Sequence, residues 1–343
     1  MRNIISALFF ISTLVLSSQN KTNKYFKHLV FRETPYSEIK GRIPITKERA
    51  QKENNYKLTY NALGKLILVE YNINNKLIGT RRSGMLDGNR NLMPKTKIEY
   101  SENKEIRTFY DEYNNQRKNF MGVYKEVYKY NENNKKISLK HYDENNSPVN
   151  NNWKIFEYFW THLNGNDVIE KRKNVAGQFV SMRSYYHFKT VLYEFSNEGI
   201  LQSMNNIDEA GNLIEEETGV AMDVPVYDKD FNIVSYKFLN AKKEPVVGTF
   251  IGAAGGIVEY DINGNVTQYR TVDLEGKPMV GNREYVFRNY TFDKYGNVAE
   301  RAFYGLNKEL VPVRDIVKVK YTYSNEDPSK LFKSEYYHTT LKK

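Results

Sequence analysis

Aromatic residues with polar tips are concentrated in the middle of the chain, between positions 153 and 187. A tryptophan, tyrosine or histidine ring can stack on the apolar face of a sugar while its polar atom makes a hydrogen bond. Core packing is the alternative use of the same side chains. If this region is a binding surface, six residues are the candidate ligand contacts: Trp153, Tyr158, Trp160, Tyr185, Tyr186 and His187.

A second group of residues that could do chemistry, the acids and asparagines, falls in short polar segments. Asp261, Asn263 and Asn265 alternate as in the first half of a calcium loop. An EF-hand loop also needs glycine at its sixth position and an acid at its twelfth. This chain has Val266 and Val272 there. Aspartate, asparagine and glycine are also the typical residues of turns, so we predict turns and no metal site.

Motifs for catalysis and cofactor binding are absent from the sequence. The five histidines do not stand at metal-ligand spacing, and there is no HExxH, GxSxG, GxGxxG or GxxxxGK[ST] segment. Cysteine is absent as well, which excludes disulfides and thiol chemistry. We therefore predict no catalytic residue and no cofactor.

The elements that must position these residues come from a tandem repeat of about 32 residues. Its anchor is an aromatic residue followed by a turn, clearest at Tyr260 and Phe292 and repeated at Tyr227 and Tyr323. A second turn follows 13 residues after the anchor, for example from Tyr260 to Asp273. Periods of 20–50 residues are typical of solenoids, propellers and arrays.

The segments between the turns are short enough for strands. Residues 266–272 (VTQYRTV) have the length of one strand, and the two flanking turns would make it part of an antiparallel pair. We predict an all-β fold, an elongated antiparallel sheet or solenoid of about eight or nine units. The anchors Tyr227, Tyr260 and Phe292 would form a ladder in its core.

The two ends of the chain differ from the repeats. Residues 4–16 (IISALFFISTLVL) follow Arg2 and precede small residues, which predicts a signal peptide over 1–19 and an exported protein. Residues 20–55 lack the pattern, and the charged stretch 46–55 is compatible with a short helix or an N-terminal cap. The tandem β-repeat domain would span 56–343, with no transmembrane segment once the leader is removed.

The formal net charge of +10 implies a mild attraction to anionic surfaces, although lysines scattered through every repeat also keep strand edges soluble. The candidate partners are an envelope polysaccharide or another envelope protein, and we predict no specific nucleic acid.

The repeated Tyr-Asp-x-x-Gly-Asn unit, best preserved at Tyr260–Asn265 and, with Phe in the first place, at Phe292–Asn297, resembles the YD (Rhs-type) tandem repeats of bacterial exported and surface proteins. The period here is longer than in the usual YD unit. The resemblance implies an antiparallel sheet that coils into a shell or spiral, with roles in carbohydrate binding or in carrying a toxin domain. It supplies no catalytic residue.

Three functions remain open at this point. The first is a non-enzymatic, exported repeat protein that offers an extended binding or structural surface at the cell envelope, with a glycan as a candidate ligand. The second is an accessory partner of a secretion or toxin system. The third is an enzyme acting on envelope polysaccharide, which would need two carboxylates in a cleft of the unit from Asn151 to His187.

Overall fold

The computed structural model describes residues 21–79, 93–163, 165–183, 186–324, 326–328 and 330–338. The predicted signal peptide lies outside these residues. No helix in the described ranges is long and apolar enough to cross a membrane.

Within the described residues the chain forms strands and one helical turn, α1 (Lys47–Ala50). The first strands are β1 (Thr22–Leu29), β2 (Gly41–Ile45), β3 (Asn55–Tyr60), β4 (Leu66–Ile73), β5 (Lys76–Leu77), β6 (Lys95–Ser101), β7 (Lys104–Tyr110), β8 (Lys125–Tyr130), β9 (Lys136–Tyr142), β10 (Glu157–His162) and β11 (Val168–Lys173). The others are β12 (Val191–Phe195), β13 (Leu201–Asn206), β14 (Met222–Tyr227), β15 (Ile233–Leu239), β16 (Gly255–Tyr260), β17 (Val266–Val272), β18 (Phe287–Phe292), β19 (Val298–Tyr304), β20 (Ile316–Tyr323) and β21 (Leu331–His338).

These strands form one open antiparallel sheet of 21 strands. β1 lies between β2 and β3, β4 pairs with both β5 and β6, and from β6 onward each strand pairs with the next along the chain. Local pairing of this kind is what a tandem array of hairpins produces. The predicted all-β antiparallel repeat fold is confirmed.

Each clear anchor aromatic ends the first strand of a hairpin, at a β-bulge. Tyr260 opposes Val266 and Phe292 opposes Val298, with a register shift one residue earlier in both hairpins. A bulge adds one residue to the return strand and bends it. Bulges recur at five further aromatic residues in the same slot, Tyr60, Tyr130, Phe195, Tyr227 and Tyr323, but not at Tyr100.

A side-chain oxygen of Asp, Asn or Ser accepts backbone N–H groups in these turns. Asp261 Oδ1 accepts hydrogen bonds from the backbone N–H groups of Asn263 and Asn265, both at 2.9 Å, and Oδ2 accepts one from the side chain of Asn265. Gly264 completes the turn with a φ of +74°, which favours glycine. The turn prediction is confirmed, and no cluster of three metal-ligating side chains exists among the described residues.

The second turn has the same geometry, since Asp273 Oδ1 accepts from the N–H groups of Glu275 and Lys277. The connection between one hairpin and the next contains a third turn of this type. Asn151 Oδ1, for example, accepts from the N–H groups of Trp153 and Ile155.

The core lies on one face of the sheet, and its main column is two residues before the anchor. These positions are buried in eight hairpins: Leu58, Ile98, Tyr128, Trp160, Tyr193, Val258, Tyr290 and Tyr321. In the β14–β15 hairpin the position is Pro225, which is only half-buried. The anchors themselves are half-buried, and several tyrosine anchors use their hydroxyl to reach the preceding hairpin. Tyr260 Oη donates to the carbonyl of Ile233 at 2.9 Å, for example. The predicted ladder therefore packs at the margin of the core, because the bulge turns the anchor partly outward.

The N-terminal segment (residues 21–55) does more than add strands to one end of the sheet. Its α1 begins after Thr46, whose side chain caps Arg49 N–H, so the predicted short helix is present. Arg42 of β2 donates a hydrogen bond to Asn232 Oδ1, and Arg49 Nη2 of α1 donates to Asn263 Oδ1 at 2.6 Å. The segment thus touches the first turns of hairpins that lie about 190 to 215 residues later in the chain.

The sheet curves far enough for its first and late hairpins to meet. The N–H of Asn54 donates to the carbonyl of Tyr295 at 2.9 Å, and Lys76 Nζ lies 3.6 Å from Asp327 Oδ2. The N-terminal segment therefore lies inside the curve, in contact with hairpins from the middle and the end of the sheet.

Candidate functional site

The structure buries three of the six aromatic residues that the sequence singled out. Tyr158, Trp160 and Tyr186 are all at most 4% exposed. Trp160 is two residues before His162, which fills the anchor position of its hairpin, so it belongs to the core column. Stacking on a sugar from solvent needs an exposed ring, and these three rings are covered.

The remaining candidates do not share a surface. Trp153 is half-buried, and the guanidinium of Arg183 lies 4.8 Å from its ring centre. His187 is exposed. Its backbone N–H donates to Glu216 Oε2 at 2.6 Å, and its ring atom Nδ1 lies 3.9 Å from Glu217 Oε2. Tyr185 falls outside the described residues.

A groove of about 270 Å³ lies beside Trp160, where the N-terminal segment crosses the first turns of three hairpins. We call it the turn groove. Its walls are Tyr36, Ser37, Glu38 and Lys40 from the segment, with Tyr130, Asn134, Lys135, Lys136, Asn166, Phe195, Asn197, Glu198 and Gly199 from the hairpins.

Tyr36 is the centre of the turn groove. Its ring lies 5.5 Å from Trp160, 5.6 Å from Phe195 and 5.7 Å from His162, measured between ring centroids. Burial raises the pKa of the Tyr36 hydroxyl to about 12, so it remains protonated at neutral pH. Trp160 thus supports the groove from behind, although it does not reach the surface.

The floor of the turn groove is an ion pair. Lys136 Nζ donates to Glu38 Oε1 at 2.6 Å and to the carbonyl of Tyr36 at 3.0 Å. Burial lowers the pKa of Lys136, while Glu38 beside it acts in the opposite direction. These bonds fix the N-terminal segment to β9 at the point where the groove opens.

A buried charge cluster continues beneath this floor. Glu105 Oε1 accepts from Arg107 Nε at 2.5 Å, and Glu105 Oε2 accepts from the hydroxyl of Tyr130 at 2.5 Å. Burial raises the pKa of Glu105, but Arg107 and then Lys136 outweigh it and hold that pKa at about 2. The carboxylate is therefore ionised and bonded, which makes this cluster a rigid support for the groove.

The rim of the turn groove is polar. Asn166 and Asn197 are exposed on neighbouring turns, and Asn166 Nδ2 donates to the carbonyl of Ser196 at 3.1 Å. Lys40 of the N-terminal segment donates to the carbonyl of Glu198. Amide, ammonium and carboxylate groups therefore surround the half-buried rings, an arrangement that suits a ligand with both hydroxyl groups and apolar faces.

A second, smaller cavity of about 150 Å³ lies deeper inside the curve, and we call it the inner cavity. Phe31, Met204 and Phe238 contribute apolar walls, and Asp223 and Arg283 line it with polar groups. Burial raises the pKa of Asp223 to about 7, with Arg183 opposing the shift. Asp223 can therefore exchange a proton near neutral pH, but the walls leave room for only a small molecule.

The carboxylate pair expected for an envelope-acting enzyme is not formed by Glu170, the buried acid of the Asn151–His187 unit. Its Oε1 accepts from Arg172 at 2.6 Å, and its Oε2 accepts from Trp160 at 2.8 Å and from Thr34 at 2.5 Å. These bonds occupy both oxygens of Glu170, so this acid serves to hold the N-terminal segment against β11.

Sequence reasoning missed Tyr36, Glu38 and Lys136 as site residues. One signal was available for Lys136, which opposes the anchor Tyr130 across its hairpin. The equivalent position is apolar in other hairpins, as at Val266 and Ile233. A lysine in an apolar column needs an acidic partner, but only the fold shows that Glu38 supplies it.

Comparisons with known proteins add little. No protein-family model and no curated protein matches the chain, so no family confirms the YD-type resemblance. Similar solved structures include a Tc holotoxin pore of Photorhabdus luminescens, with 10% identity and a TM-score of 0.25 over 79% of this chain and 13% of that one. A TcdB2–TccC3 crystal structure has 11% identity and a TM-score of 0.24 over 80% and 14%.

A porin-like protein from Bacteroides uniformis has 12% identity and a TM-score of 0.22 over 93% and 94% of the two chains. The chain spans only about 13% to 14% of the toxin chains that it matches. TM-scores this low support no functional conclusion.

Proposed function

We propose that the protein is an exported, non-enzymatic binding protein of the bacterial cell envelope, and that the turn groove takes a segment of an envelope polysaccharide. The observation that carries the proposal is the composition of this groove. Half-buried rings of Tyr36, Tyr130 and Phe195 stand beside the exposed amides of Asn166 and Asn197. Sugar recognition uses this combination, in which rings contact apolar C–H faces and amides bond hydroxyl groups.

The dimensions and rigidity of the groove also favour this ligand. A space of about 270 Å³ is near the lower end of small-ligand sites and suits one or two sugar units. The ion pair between the buried Lys136 and the largely exposed Glu38 joins the walls before any ligand arrives. A pre-formed site lowers the entropy lost on binding.

Charge adds a preference for acidic polysaccharides. Lys40 and Lys135 line the groove, and the whole chain carries a formal charge of +10. This field attracts anionic polymers over a distance set by ionic strength. Export is the part of the proposal that depends on the leader-like residues 1–19, which only the sequence supports.

Binding of purified residues 20–343 to polysaccharides tests the proposal. The probes are lipopolysaccharide, peptidoglycan and an acidic polysaccharide, with dextran for comparison, measured by co-sedimentation across a salt series. The variant Asn166→Ala/Asn197→Ala removes two groove amides. Asn145→Ala/Asn307→Ala is the matched control, because both of its residues are exposed on second turns.

The expected result is binding of at least one probe that persists at high salt and falls about tenfold in the groove variant, while the control binds normally. A tenfold loss corresponds to about 1.4 kcal/mol, the size expected when two hydrogen bonds to a ligand disappear. Equal binding by both double variants, or binding that disappears with salt, would exclude the groove as a glycan site.

A further inference from the structure

β21 (Leu331–His338) is a strand with only one partner among the described residues. Along one edge it pairs with β20, placing Ser334 opposite Tyr321 and Tyr336 opposite Val319. Among the described residues no strand pairs with its other edge. Such an edge is a template for pairing with another chain, and proteins normally protect it.

Side chains of β21 on the core side of the sheet are much more exposed than their neighbours on β20. Val319 and Tyr321 of β20 are buried in the core, whereas Tyr336 next to them is 47% exposed and Phe332 is 77% exposed. In earlier hairpins the following strand covers the equivalent surface. β21 therefore ends the core with aromatic side chains that remain uncovered.

The sequence of β21 is self-complementary about Ser334. If a second copy of the strand runs antiparallel with Ser334 opposite Ser334, then Lys333 faces Glu335 on both sides of the centre. The same register brings Tyr336 near Phe332, which is the extra residue of the bulge in β21, because Lys333 opposes Thr322 and Leu331 opposes Tyr323. Opposite charges at facing positions stabilise an antiparallel pair.

Alternative symmetric registers are unfavourable. With a two-fold axis perpendicular to the sheet, the core-side face of one copy continues into the core-side face of the other. Two residues that oppose each other must therefore point to the same face, so their residue numbers differ by an even number. The neighbouring even registers place Lys333 opposite Lys333, or Glu335 opposite Glu335. Like charges directly opposite each other destabilise a strand pair, so only the register centred on Ser334 satisfies both charges.

We propose that β21 is the contact surface of a two-fold symmetric dimer, in which it pairs antiparallel with β21 of a second copy and Ser334 lies on the axis. The two sheets would then become one continuous sheet. Closed two-fold association is the commonest way in which a chain pairs with itself. This inference is independent of ligand binding at the turn groove.

Charge variants test the register. In residues 20–343, Lys333→Glu would place two glutamates opposite each other at each end, and Glu335→Lys would place two lysines there. Sedimentation velocity over a concentration series should show dimerisation of the wild-type chain, weakened about tenfold or more in each single variant. The side chains of Lys333 and Glu335 are 58% and 41% exposed, so the fold should remain intact, as circular dichroism would verify.

Two further arms make the test specific. The charge-exchanged variant Lys333→Glu/Glu335→Lys should dimerise like the wild type, because each facing pair again has opposite charges. An equimolar mixture of the two single variants should form mixed dimers, since glutamates of one copy then face lysines of the other. A monomeric wild type, or a dimer that ignores all of these charges, would overturn the proposal.

A cross-link locates the axis independently. Because the chain has no cysteine, Ser334→Cys introduces a single thiol that would face its own copy. Facing residues in an antiparallel pair have Cα atoms about 4.5–5.5 Å apart, within the range of a disulfide. Mild oxidation should give a covalent dimer, whereas Asn307→Cys on an exposed second turn should not. Equal cross-linking of both variants would contradict the proposed axis.

Discussion

At the scale of single residues, the fold depends on one side chain per turn. Asp261 bonds two backbone N–H groups and one amide through its two oxygens, and Asp293 makes the same three contacts. Asparagine takes this place in other turns, as at Asn61 and Asn131, where its single oxygen accepts the two N–H groups. The essential feature is therefore the acceptor oxygen and not the charge.

This difference predicts unequal effects of two substitutions. Asp261→Ala should lower the free energy of unfolding by about 1–3 kcal/mol, because two backbone donors lose their acceptor. Asp261→Asn keeps that acceptor and should cost less than about 1 kcal/mol. Urea unfolding followed by circular dichroism measures both values. Equal losses would show that the negative charge, rather than the turn geometry, is what matters.

At the scale of elements, the N-terminal segment is held by close packing against turns of distant hairpins. Gly296, with a φ of +85°, is an example: a Cβ atom added there would lie 2.5 Å from Lys27 Nζ and 2.7 Å from Asn54 Oδ1. Neither neighbour can move easily, because Lys27 Nζ donates to Asn54 Oδ1 at 2.8 Å and to Glu53 Oε2 at 3.1 Å.

Two glycine substitutions distinguish the cost of disturbing this packing from the cost of backbone strain. Gly276→Ala introduces a side chain at a φ of +79° with nothing within 4 Å, so it should cost only the strain of about 1–2 kcal/mol. Gly296→Ala has a similar φ and should cost about 1–3 kcal/mol more, since it also displaces the N-terminal segment. Matching unfolding midpoints for the two variants in urea would argue against this contact.

The charge cluster between β7, β8 and β9 predicts a specific response to acid. The pKa of Glu105 is about 2 in the folded protein, compared with an ordinary value of 4.5. Since the folded pKa is lowered, the stabilisation is present above about pH 4.5 and is lost as the pH falls toward about 2.

Glu105→Gln should therefore remove part of the pH dependence in this window. At neutral pH it should cost about 3 kcal/mol or more, because Arg107 and Lys136 lose a buried charged partner. Thermal unfolding at a series of pH values, for wild type and variant, provides the measurement. Parallel stability curves between pH 2 and 4.5 would mean that Glu105 is not the group that titrates.

At the scale of the whole molecule, the curvature of the sheet decides the shape. Twenty-one strands in a flat sheet would span about 100 Å. The contacts of Asn54 with Tyr295 and of Lys76 with Asp327 instead bring the first and late hairpins together.

Small-angle X-ray scattering of monomeric protein distinguishes these shapes. A compact chain of this length has a radius of gyration of about 20 Å, whereas the flat sheet would give about 30 Å. We expect a value below about 25 Å. The measurement should use the variant Lys333→Glu, in which the proposed dimer is weakened, so that the scattering comes from the monomer. A value near 30 Å would show that the sheet does not close on its N-terminal segment.

The sequence by itself determined the repeat, the antiparallel hairpins and the turn chemistry. These features depend on residues close together in the chain, so a regular spacing such as Tyr260 to Phe292 records them directly. Even the short helix after Thr46 could be expected from local composition.

Only the tertiary structure decided which residues share a site. The turn groove combines Tyr36 and Glu38 with Lys136 and Phe195, residues up to about 160 positions apart. Their meeting depends on how much each bulge bends the sheet, a small angle that accumulates over many strands and leaves no local pattern. For the same reason the aromatic region around Trp160 could be recognised from composition, while its burial beneath Tyr36 could not.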